Sequence, residues 1–215
     1  MEEKSDINFN IILLGKAGSG KGTQAKFLEK EYNLHHISTG DVMRRHVKEN
    51  TKYGKLIKQY QEEGKLVPDD TTIEILKEEI KLIKSQNKNL NGFIFDGFPR
   101  TAEQAKLLGN IIDLNRTYVV DFKVSDKTAI KRIQNRAQLD GDNARKDDKN
   151  PEAIQKRLNI YNKNNKKISK VLCRMSVLPQ INIYANKKSP KEISLELSSA
   201  ISKLGEAYKE NILKK

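Results

Sequence analysis

Short apolar runs alternate along the chain with longer stretches in which apolar residues recur at the spacing of a helix. Each short run is bounded by polar or turn-forming residues, as expected of a buried β-strand. The alternation of strands with helices predicts an α/β fold with a mainly parallel sheet and helices on both faces. The runs predicted as strands are residues 9–14, 34–37, 92–95, 118–124 and 181–184.

The predicted helices begin and end at recognisable residues. Thr101 can cap the helix after the third strand, and Gln104 stands three residues on, where it completes a capping box. The polar segment 139–150 predicts a loop, and Pro151 suits the first turn of a long helix. The predicted helices cover 21–32, 41–50, 53–63, 69–85 and 125–138, with Gly54, Gly64 and Pro68 as separators, and others begin at Thr101, Pro151 and Pro190.

Composition narrows the class of protein. The chain has 215 residues, of which 36% are hydrophobic and 32% charged, which suits one α/β domain with inserted lobes. No apolar run reaches the roughly 18 residues of a membrane span, residues 1–4 do not open a signal peptide, and Glu2 excludes N-myristoylation. Cys173 has no disulfide partner in the chain, and we expect it to be a small buried apolar residue. These features indicate a cytoplasmic protein.

The net charge of +13 raises the question of a nucleic-acid or membrane partner. Lys accounts for 32 of the 41 basic residues, and the lysines are spread along the whole chain without an RNA-reading aromatic motif. We therefore expect neither a nucleic-acid nor a membrane partner. The nine arginines stand out against this background as candidates for sites that need a planar, bidentate guanidinium.

A glycine-rich segment follows the first predicted strand. Gly15, Gly20 and Lys21 match the spacing of a phosphate-binding loop, in which backbone N–H groups face an anion and the Lys reaches the outer phosphates. The next helix adds the positive end of its dipole. Gly22 stands where the generic loop has its Mg²⁺-binding Ser or Thr, and Thr23 follows it. This variant is similar to the loop of nucleoside-monophosphate kinases.

Four further motifs carry a resemblance to the adenylate kinases over nearly the whole chain, in the same order and at similar spacing. The motifs are residues 38–41 with Arg44, 64–69, 96–101 with Gln104, and 145–148 followed by Arg157. The resemblance implies a three-layer P-loop NTPase fold with a five-stranded parallel sheet. It also implies reversible transfer of the terminal phosphoryl group from Mg²⁺-bound ATP to AMP, giving two ADP, within adenine nucleotide homeostasis.

The resemblance also implies a division of the single domain. A core of residues 7–37, 68–136 and 151–215 carries an NMP-binding segment, residues 38–67, and a lid, residues 137–150. Only eight residues separate Arg136 from Arg145, which is the short form of the lid. We therefore expect no structural zinc, and a monomer, as is usual for short-lid relatives.

Six of the nine arginines lie at positions that bind phosphate in the family. The resemblance places Arg44 and Arg100 on the monophosphate, and the others on the triphosphate or toward the transferred group. The expected catalytic residues are Lys21, Arg100, Arg132, Arg136, Arg145 and Arg157. The expected ATP-binding residues are Gly18, Ser19, Gly20, Lys21, Gly22, Thr23, Arg132, Arg136 and Lys188. The expected AMP-binding residues are Thr39, Arg44, Lys65, Leu66, Val67, Gly97, Phe98, Pro99, Arg100, Gln104, Arg145 and Arg157.

The resemblance also implies which carboxylates bind the metal ion and which residues contact the two nucleotide bases. By resemblance, Asp96 anchors Mg²⁺ through water, with Asp41 as a weaker candidate. Thr39 and Gln104 face the acceptor base, and because pyrimidine-directed relatives usually carry Ala and Asn there, AMP is the expected acceptor. The donor base is read by backbone groups near Asn186, which replaces a usual Gly and which we expect to keep that turn because Asn tolerates a left-handed backbone.

Other readings stay open from the sequence. GTP remains a possible donor beside ATP, and Lys16, inside the loop, either faces solvent or adds charge near the donor phosphates. His35 and His36 match no catalytic position of the family and are expected to be packed or at a sheet edge. The alternative functions are a kinase of UMP, CMP or another monophosphate, an inactive nucleotide-binding regulator, and a basic nucleic-acid binder.

Overall fold

Five parallel strands form one sheet in the order β2-β3-β1-β4-β5 in the computed structural model, which describes residues 8–63 and 65–213. The strands are β1 Asn10–Gly15, β2 Leu34–Ser38, β3 Gly92–Asp96, β4 Thr117–Lys123 and β5 Ile181–Tyr184. Every predicted strand is present, with each end within one residue of its prediction. The predicted separator Gly64 and Ile7, the first residue of the predicted core, lie outside the described residues.

Helices flank the sheet on both sides, and none of the described helices is long and apolar enough to cross a membrane. They are α1 Lys21–Tyr32, α2 Thr39–Lys48, α3 Gly54–Glu62, α4 Asp69–Gln86, α5 Ala102–Leu108, α6 Asp126–Asp140, α7 Lys146–Lys149, α8 Pro151–Met175 and α9 Pro190–Leu213. Short 3₁₀ turns cover Leu114–Arg116 and Gly141–Asn143. The predicted helix over 41–50 begins earlier, at Thr39, because the Ser38 side chain accepts the N–H of Asp41 and caps the helix.

Alternate residues of the central strand β1 serve two apolar layers. Ile11 and Leu13 pack in a cluster with α1, α6 and α9, whereas Ile12 and Leu14 pack in a second cluster with α4 and α5. Helix α8 contributes to both clusters. All four side chains are at most 4% exposed, and burying a side chain of this size contributes about 1.5–3 kcal/mol. Burial of these two clusters stabilises the predicted three-layer arrangement, in which the sheet lies between two layers of helices.

The sheet register brings the ends of three strands to one edge. Ser38 of β2 pairs with Asp96 of β3, and Asp96 pairs with Leu13 of β1. The segments that leave these strands, the phosphate loop, the start of α2 and residues 97–101, therefore emerge side by side. The edge beyond the carboxyl ends of parallel strands is where ligands bind in such folds.

The predicted loop over 139–150 is wrong in most of its length. Helix α6 runs on to Asp140, a 3₁₀ turn follows, and α7 occupies Lys146–Lys149. Polar composition predicted a loop, but acidic residues in the first turn of α7 favour the helix dipole. Ion pairs to neighbouring helices, described below, then hold this polar segment in place.

Two smaller expectations are also corrected. Cys173 is exposed, because it follows Leu172, which is the residue that points inward from α8. The capping box of α5 is only half formed. The Thr101 hydroxyl accepts the N–H of Gln104 at 3.0 Å, but the Gln104 side chain accepts from the N–H of Arg100 instead of returning to Thr101.

Candidate active site

The phosphate loop lies between α1 and α6. Lys21 Nζ folds back over it and donates to the carbonyl oxygens of Gly15 and Lys16 at 2.8 and 2.9 Å. At Gly18 the backbone has φ +76°, and a Cβ there would stand 2.4 Å from the carbonyl oxygen of Ala129 on α6. Only glycine fits so close a contact, so the loop is held directly against the helix that carries Arg132 and Arg136.

Two features of the loop call for an anion. Burial lowers the pKa of Lys21, and Arg100, Arg157 and Arg136 lower it further by like charge, while Asp96 opposes them. The Ser19 hydroxyl is buried and has no hydrogen-bond partner among the described residues. An unpaired hydroxyl and a crowded, desolvated cation are both costly without a ligand, and a polyphosphate would satisfy both.

Asp96 ends β3 beside the loop, with Oδ1 3.9 Å from Lys21 Nζ. Burial would raise its pKa, but His36, Lys21 and Arg100 outweigh that cost and hold the pKa of Asp96 below its ordinary value. His36 Nε2 lies 3.5 Å from Asp96 Oδ2, and a Cβ at Gly22 would also lie 3.5 Å from that oxygen. Asp96 is therefore ionised, and the missing side chain at Gly22 leaves space beside its carboxylate.

This carboxylate fits Mg²⁺. The ion keeps several waters and takes one or two protein carboxylates beside substrate phosphates. Among the described residues, no three His, Cys, Asp or Glu side chains are grouped to hold a metal ion by themselves. A single ionised carboxylate such as Asp96 suits an ion that is bound mainly by water and phosphate oxygens. Asp41, the weaker candidate, is instead paired with the guanidinium groups of Arg44 and Arg145.

Two carboxylates organise four of the predicted arginines. Asp148, which is 3% exposed, accepts from Arg136 Nε at 2.9 Å and Nη2 at 2.5 Å on one oxygen and from Arg157 Nη1 at 2.8 Å on the other. Burial of Asp148 opposes ionisation, but these hydrogen bonds prevail and lower its pKa. Arg145 of the lid lies 3.5 Å from Asp41, across the cleft.

The remaining predicted arginines contact the backbone. Arg132 donates to the carbonyl of Ser19 at 3.2 Å and to that of Ala185 at 2.7 Å, so it joins the phosphate loop to the turn after β5. Arg100 Nε donates to the Gly97 carbonyl at 2.7 Å. The surrounding protein shields the Arg100 guanidinium from water, and the nearby Arg157 repels it by like charge, so the pKa of Arg100 is lowered. The like charges of Arg100 and Arg157 are therefore close enough to repel each other.

The acceptor side is built from buried polar groups. Thr39 is 4% exposed, and its hydroxyl has no partner among the described residues. Gln104 is 2% exposed, with both ends of its amide hydrogen-bonded. Phe98 and Pro99 are buried and joined by a cis peptide bond, and Phe98 belongs to the apolar cluster that includes α4 and α5.

The other residues predicted around the acceptor differ in how they are placed. Val67 is 9% exposed, Leu66 is half-buried, and the side chain of Lys65 is exposed and paired with Glu63 at 2.8 Å. The Lys65 side chain is thus engaged with Glu63, so this stretch would offer a ligand mainly its backbone groups. Gly97 has φ +81°, and a Cβ there would lie 3.2 Å from Arg100.

Two residues near the expected donor-base turn are held by contacts of their side chains. The Lys188 side chain pairs with Glu196 of α9 at 2.5 Å, so only its backbone is free for a base. Asn186 does not have the expected left-handed backbone, since Asn33 and Asn50 are the non-glycine residues with positive φ in the described part of the chain. Its side chain instead accepts the N–H of Ser125 at 2.9 Å, which fixes the turn to the start of α6.

Comparison with known proteins matches this arrangement. The sequence model of one family, described as adenylate kinase, matches residues 13–174. The chain is 41% identical over 175 residues to an adenylate kinase of Flavobacterium psychrophilum, covering 75% of this chain and 88% of that protein. It is 36% identical over 199 residues to an adenylate kinase of Staphylococcus aureus, covering 80% and 91%. The chain belongs to the adenylate kinase family.

Membership of the adenylate kinase family confirms the resemblance, the P-loop fold and the class of enzyme. The family's reaction is the reversible transfer of a phosphoryl group between ATP and AMP, giving ADP, and it is the activity of this chain. An adenylate kinase of Parabacteroides distasonis is also 41% identical, over 155 residues that cover 71% of this chain and 77% of that protein.

Sequence reasoning missed three residues that organise this adenylate kinase site. Asp148 was quoted in a motif without a role, yet it holds Arg136 and Arg157. His36 was set aside, yet it faces Asp96 from the edge strand β2. Asp69 ends the motif over 64–69 and begins a predicted helix, but the sequence assigns it no role, yet it holds Gln104. In each case the signal lies in a contact between distant segments, which a single sequence does not display.

Proposed function

We propose that this site transfers the terminal phosphoryl group of Mg²⁺-bound ATP to AMP, with ATP on the phosphate loop and AMP against Thr39 and Gln104. The observation that carries the proposal is the convergence of cations. Lys21 folds over the phosphate loop, Arg136 and Arg157 share the carboxylate of Asp148, and their like charges, with that of Arg100, lower the pKa of Lys21. Such mutual repulsion is costly in an empty cleft and is relieved by two polyanions. We further propose that the enzyme acts as a cytoplasmic monomer.

On the donor side, the loop N–H groups and Lys21 bind the phosphates, and the buried Ser19 hydroxyl gains a partner. Arg132 holds the loop and the turn at Ala185 in fixed relation, so the phosphates and the base are positioned by one side chain. Asp96 would hold Mg²⁺ through water, and the bound ion would supply positive charge to the donor phosphates.

On the acceptor side, Arg44 and Arg100 bind the monophosphate and bring it toward the donor. Arg136 and Arg157, fixed by Asp148, neutralise charge that spreads over the phosphoryl group in the transition state. Phosphoryl transfer of this kind is mostly positioning and electrostatic stabilisation. A transfer of this kind needs no general base.

Exclusion of water decides between transfer to AMP and loss of the phosphoryl group to hydrolysis. Arg145 of the lid reaches Asp41 at 3.5 Å. Lys156 Nζ, on α8, donates to the Glu63 carbonyl at 2.9 Å, at the end of α3. The two contacts join α2 to the segment before α7 and the end of α3 to α8, and we assign them to the arrangement that excludes water from the reaction.

The test is a coupled assay for ADP formed from ATP and AMP with added Mg²⁺. We expect turnover that needs both nucleotides and is highest for AMP in a panel of AMP, CMP, UMP and GMP. A parallel panel with ATP and GTP determines the donor. Binding of nucleotides that raises the melting temperature without any turnover would overturn the proposal in favour of a regulatory protein. Analytical ultracentrifugation tests the monomer.

A further inference from the structure

The amide of Gln104 is held from both ends. Its Oε1 accepts the backbone N–H of Arg100 at 2.7 Å, and its Nε2 donates to Oδ1 of Asp69 at 2.8 Å. A backbone N–H can only donate, and a carboxylate can only accept. A reversed amide would face a donor with its nitrogen and an acceptor with its oxygen. The two contacts therefore fix which end of the amide is oxygen and which is nitrogen.

Asp69 is itself fixed by the same short helix. Its Oδ2 accepts the hydroxyl of Thr101 at 3.0 Å, and that hydroxyl accepts the N–H of Gln104 at 3.0 Å. Asp69 opens α4, and Thr101 and Gln104 lie in the cap and first turn of α5. The carboxylate thus joins the two helices and uses both of its oxygens on the residues that position the amide.

A fixed amide distinguishes between purines. After these contacts, Oε1 keeps one acceptor site and Nε2 keeps one N–H. A 6-aminopurine offers a donor at its 6-amino group and an acceptor at N1, which this order of groups can match. A 6-oxopurine offers the reverse, an acceptor at O6 and a donor at N1. A site whose buried polar groups are left unpaired by the wrong substrate discriminates strongly against it.

We propose that Asp69 is a specificity-determining positioning residue, which holds the Gln104 amide in the orientation that accepts a 6-aminopurine monophosphate and rejects a 6-oxopurine one. The proposal rests on the proposed function, in which AMP lies against Gln104. A charged acceptor suits this task because hydrogen bonds to charged groups are stronger than neutral ones. A carboxylate that served only the dipole of α4 would need no contact with Gln104.

The experiment compares AMP with inosine monophosphate, two substrates that differ only in the polarity of the purine edge. In Asp69→Asn, the amide of the new side chain can present either its oxygen or its N–H group to Gln104. The Gln104 amide can then exchange the positions of its oxygen and nitrogen, and this reversal loses only the hydrogen bond from the Arg100 N–H. We expect the ratio of kcat/KM for AMP over inosine monophosphate to fall about tenfold, the equivalent of one hydrogen bond to a charged group. The KM for AMP rises, and the KM for ATP is unchanged.

Asp70→Asn is the matched control. Asp70 is exposed and lies in the same first turn of α4, so its substitution removes the same charge from the same helix end. Its ratio should equal that of the wild type. An unchanged ratio in Asp69→Asn, or an equal fall in both variants, overturns the proposal. Failure of the wild type to use AMP at all refutes the proposed function instead.

A second variant covers a loss of folding. If Asp69→Asn melts below the assay temperature, the ratio is measured in Thr101→Val, which removes the hydroxyl that anchors Asp69 but leaves the carboxylate. We expect a smaller fall, about threefold, as for one neutral hydrogen bond. Thr101→Ser, which keeps the hydroxyl, should restore the wild-type ratio. A Val variant with the wild-type ratio contradicts the proposal.

Discussion

The donor and acceptor sides of the cleft hold their polar groups in different ways. On the donor side, the cations beside the phosphate loop bind backbone atoms, as Lys21 does with the carbonyl of Gly15 and Arg132 with those of Ser19 and Ala185. On the acceptor side, the amide of Gln104 depends in addition on another side chain, the carboxylate of Asp69. Phosphate recognition is therefore built into the path of the chain, while base recognition depends on a few exchangeable side chains.

This difference determines how amino-acid substitutions on each side of the cleft should affect the enzyme. A hydrogen bond to a backbone carbonyl is kept when the side chain of the residue that supplies the carbonyl changes. The donor side therefore tolerates unusual residues such as Lys16 and Asn186. Contacts between side chains do not survive, so each acceptor residue limits which base is used. Changes on the donor side should therefore alter the rate with every acceptor, and changes on the acceptor side should alter the choice among acceptors.

The largest effect is expected from Lys21→Met, which removes the cation that folds over the loop. We expect kcat to fall about 10²–10³-fold with every acceptor, the usual loss for one group that stabilises transition-state charge. The ratio of kcat/KM for AMP over inosine monophosphate should not change. Steady-state kinetics with both acceptors measures both quantities.

Lys26→Met is the control for that substitution. Lys26 is exposed on the same helix, so the variant loses an equal charge without touching the loop. Its kcat should match the wild type. A Lys21→Met enzyme with near-normal kcat, or one with an altered choice of acceptor, would contradict the division between the two sides.

Asp148→Asn should have the next largest effect. Asn keeps one acceptor oxygen but gives up the charge that holds both Arg136 and Arg157. We expect kcat to fall about 10–100-fold, because misplaced catalytic groups cost up to about a hundredfold. Asp142→Asn, an exposed change in the lid turn, should leave kcat unchanged, and equal losses in the two variants would refute the role of Asp148.

The same carboxylate predicts a dependence of stability on pH. The pKa of Asp148 is lowered in the folded protein, so its ionised form is favoured by folding. Its contribution to the free energy of unfolding is complete above the unfolded pKa of about 3.9 and is lost as the pH falls through the folded value. Urea unfolding at pH 7 and below pH 4 should therefore show a smaller acid loss in Asp148→Asn than in the wild type.

The fold could be predicted well because its signals are local. Apolar runs, glycines and prolines mark each strand and most helix ends, and the parallel arrangement follows from their alternation. The polar lid was misjudged because its short helix depends on pairs such as Asp148 with Arg157, which come from different elements. Cys173 was misjudged because one residue along a helix turns a side chain from the core toward solvent.

The site could be predicted in part. Motifs and the scarce arginines indicated the residues that face phosphate, since that chemistry restricts residue type at fixed spacing. They did not indicate the residues that hold those side chains in place, such as Asp69 and Asp148, because a holding role depends on geometry rather than on spacing. Nor did they indicate how Lys16 is used, which only the packing of α6 against the loop reveals.

Lys16 offers a smaller test of the donor side. Its ammonium pairs with Asp126 in the first turn of α6, and Asp126 also accepts from Asn162 of α8 at 3.4 Å. The pair ties the loop to the helix that carries Arg132. We expect Lys16→Met to raise the KM for ATP about threefold and to leave the KM for AMP unchanged, as for a partly exposed ion pair worth about 0.5–1 kcal/mol.

A double-mutant cycle separates this tie from a direct contact with ATP. If Lys16 acts through Asp126, then Lys16→Met, Asp126→Asn and the double variant should all show the same KM for ATP. Additive effects would instead mean that Lys16 meets the donor phosphates by itself. Unfolding of the four proteins without nucleotide gives the coupling energy of the pair independently.

Asn186→Gly should have the smallest effect, because it restores the residue usual in the family. The variant removes the acceptor of the Ser125 N–H, but Asn186 is exposed, so water can take its place. We expect less than a twofold rise in the KM for ATP, about 0.4 kcal/mol or less, and no change for AMP. Asn186→Asp, which keeps an acceptor, should match the wild type. A large effect of the glycine would show that this turn is held by a side chain, as the acceptor side is, and would weaken the contrast between the two sides.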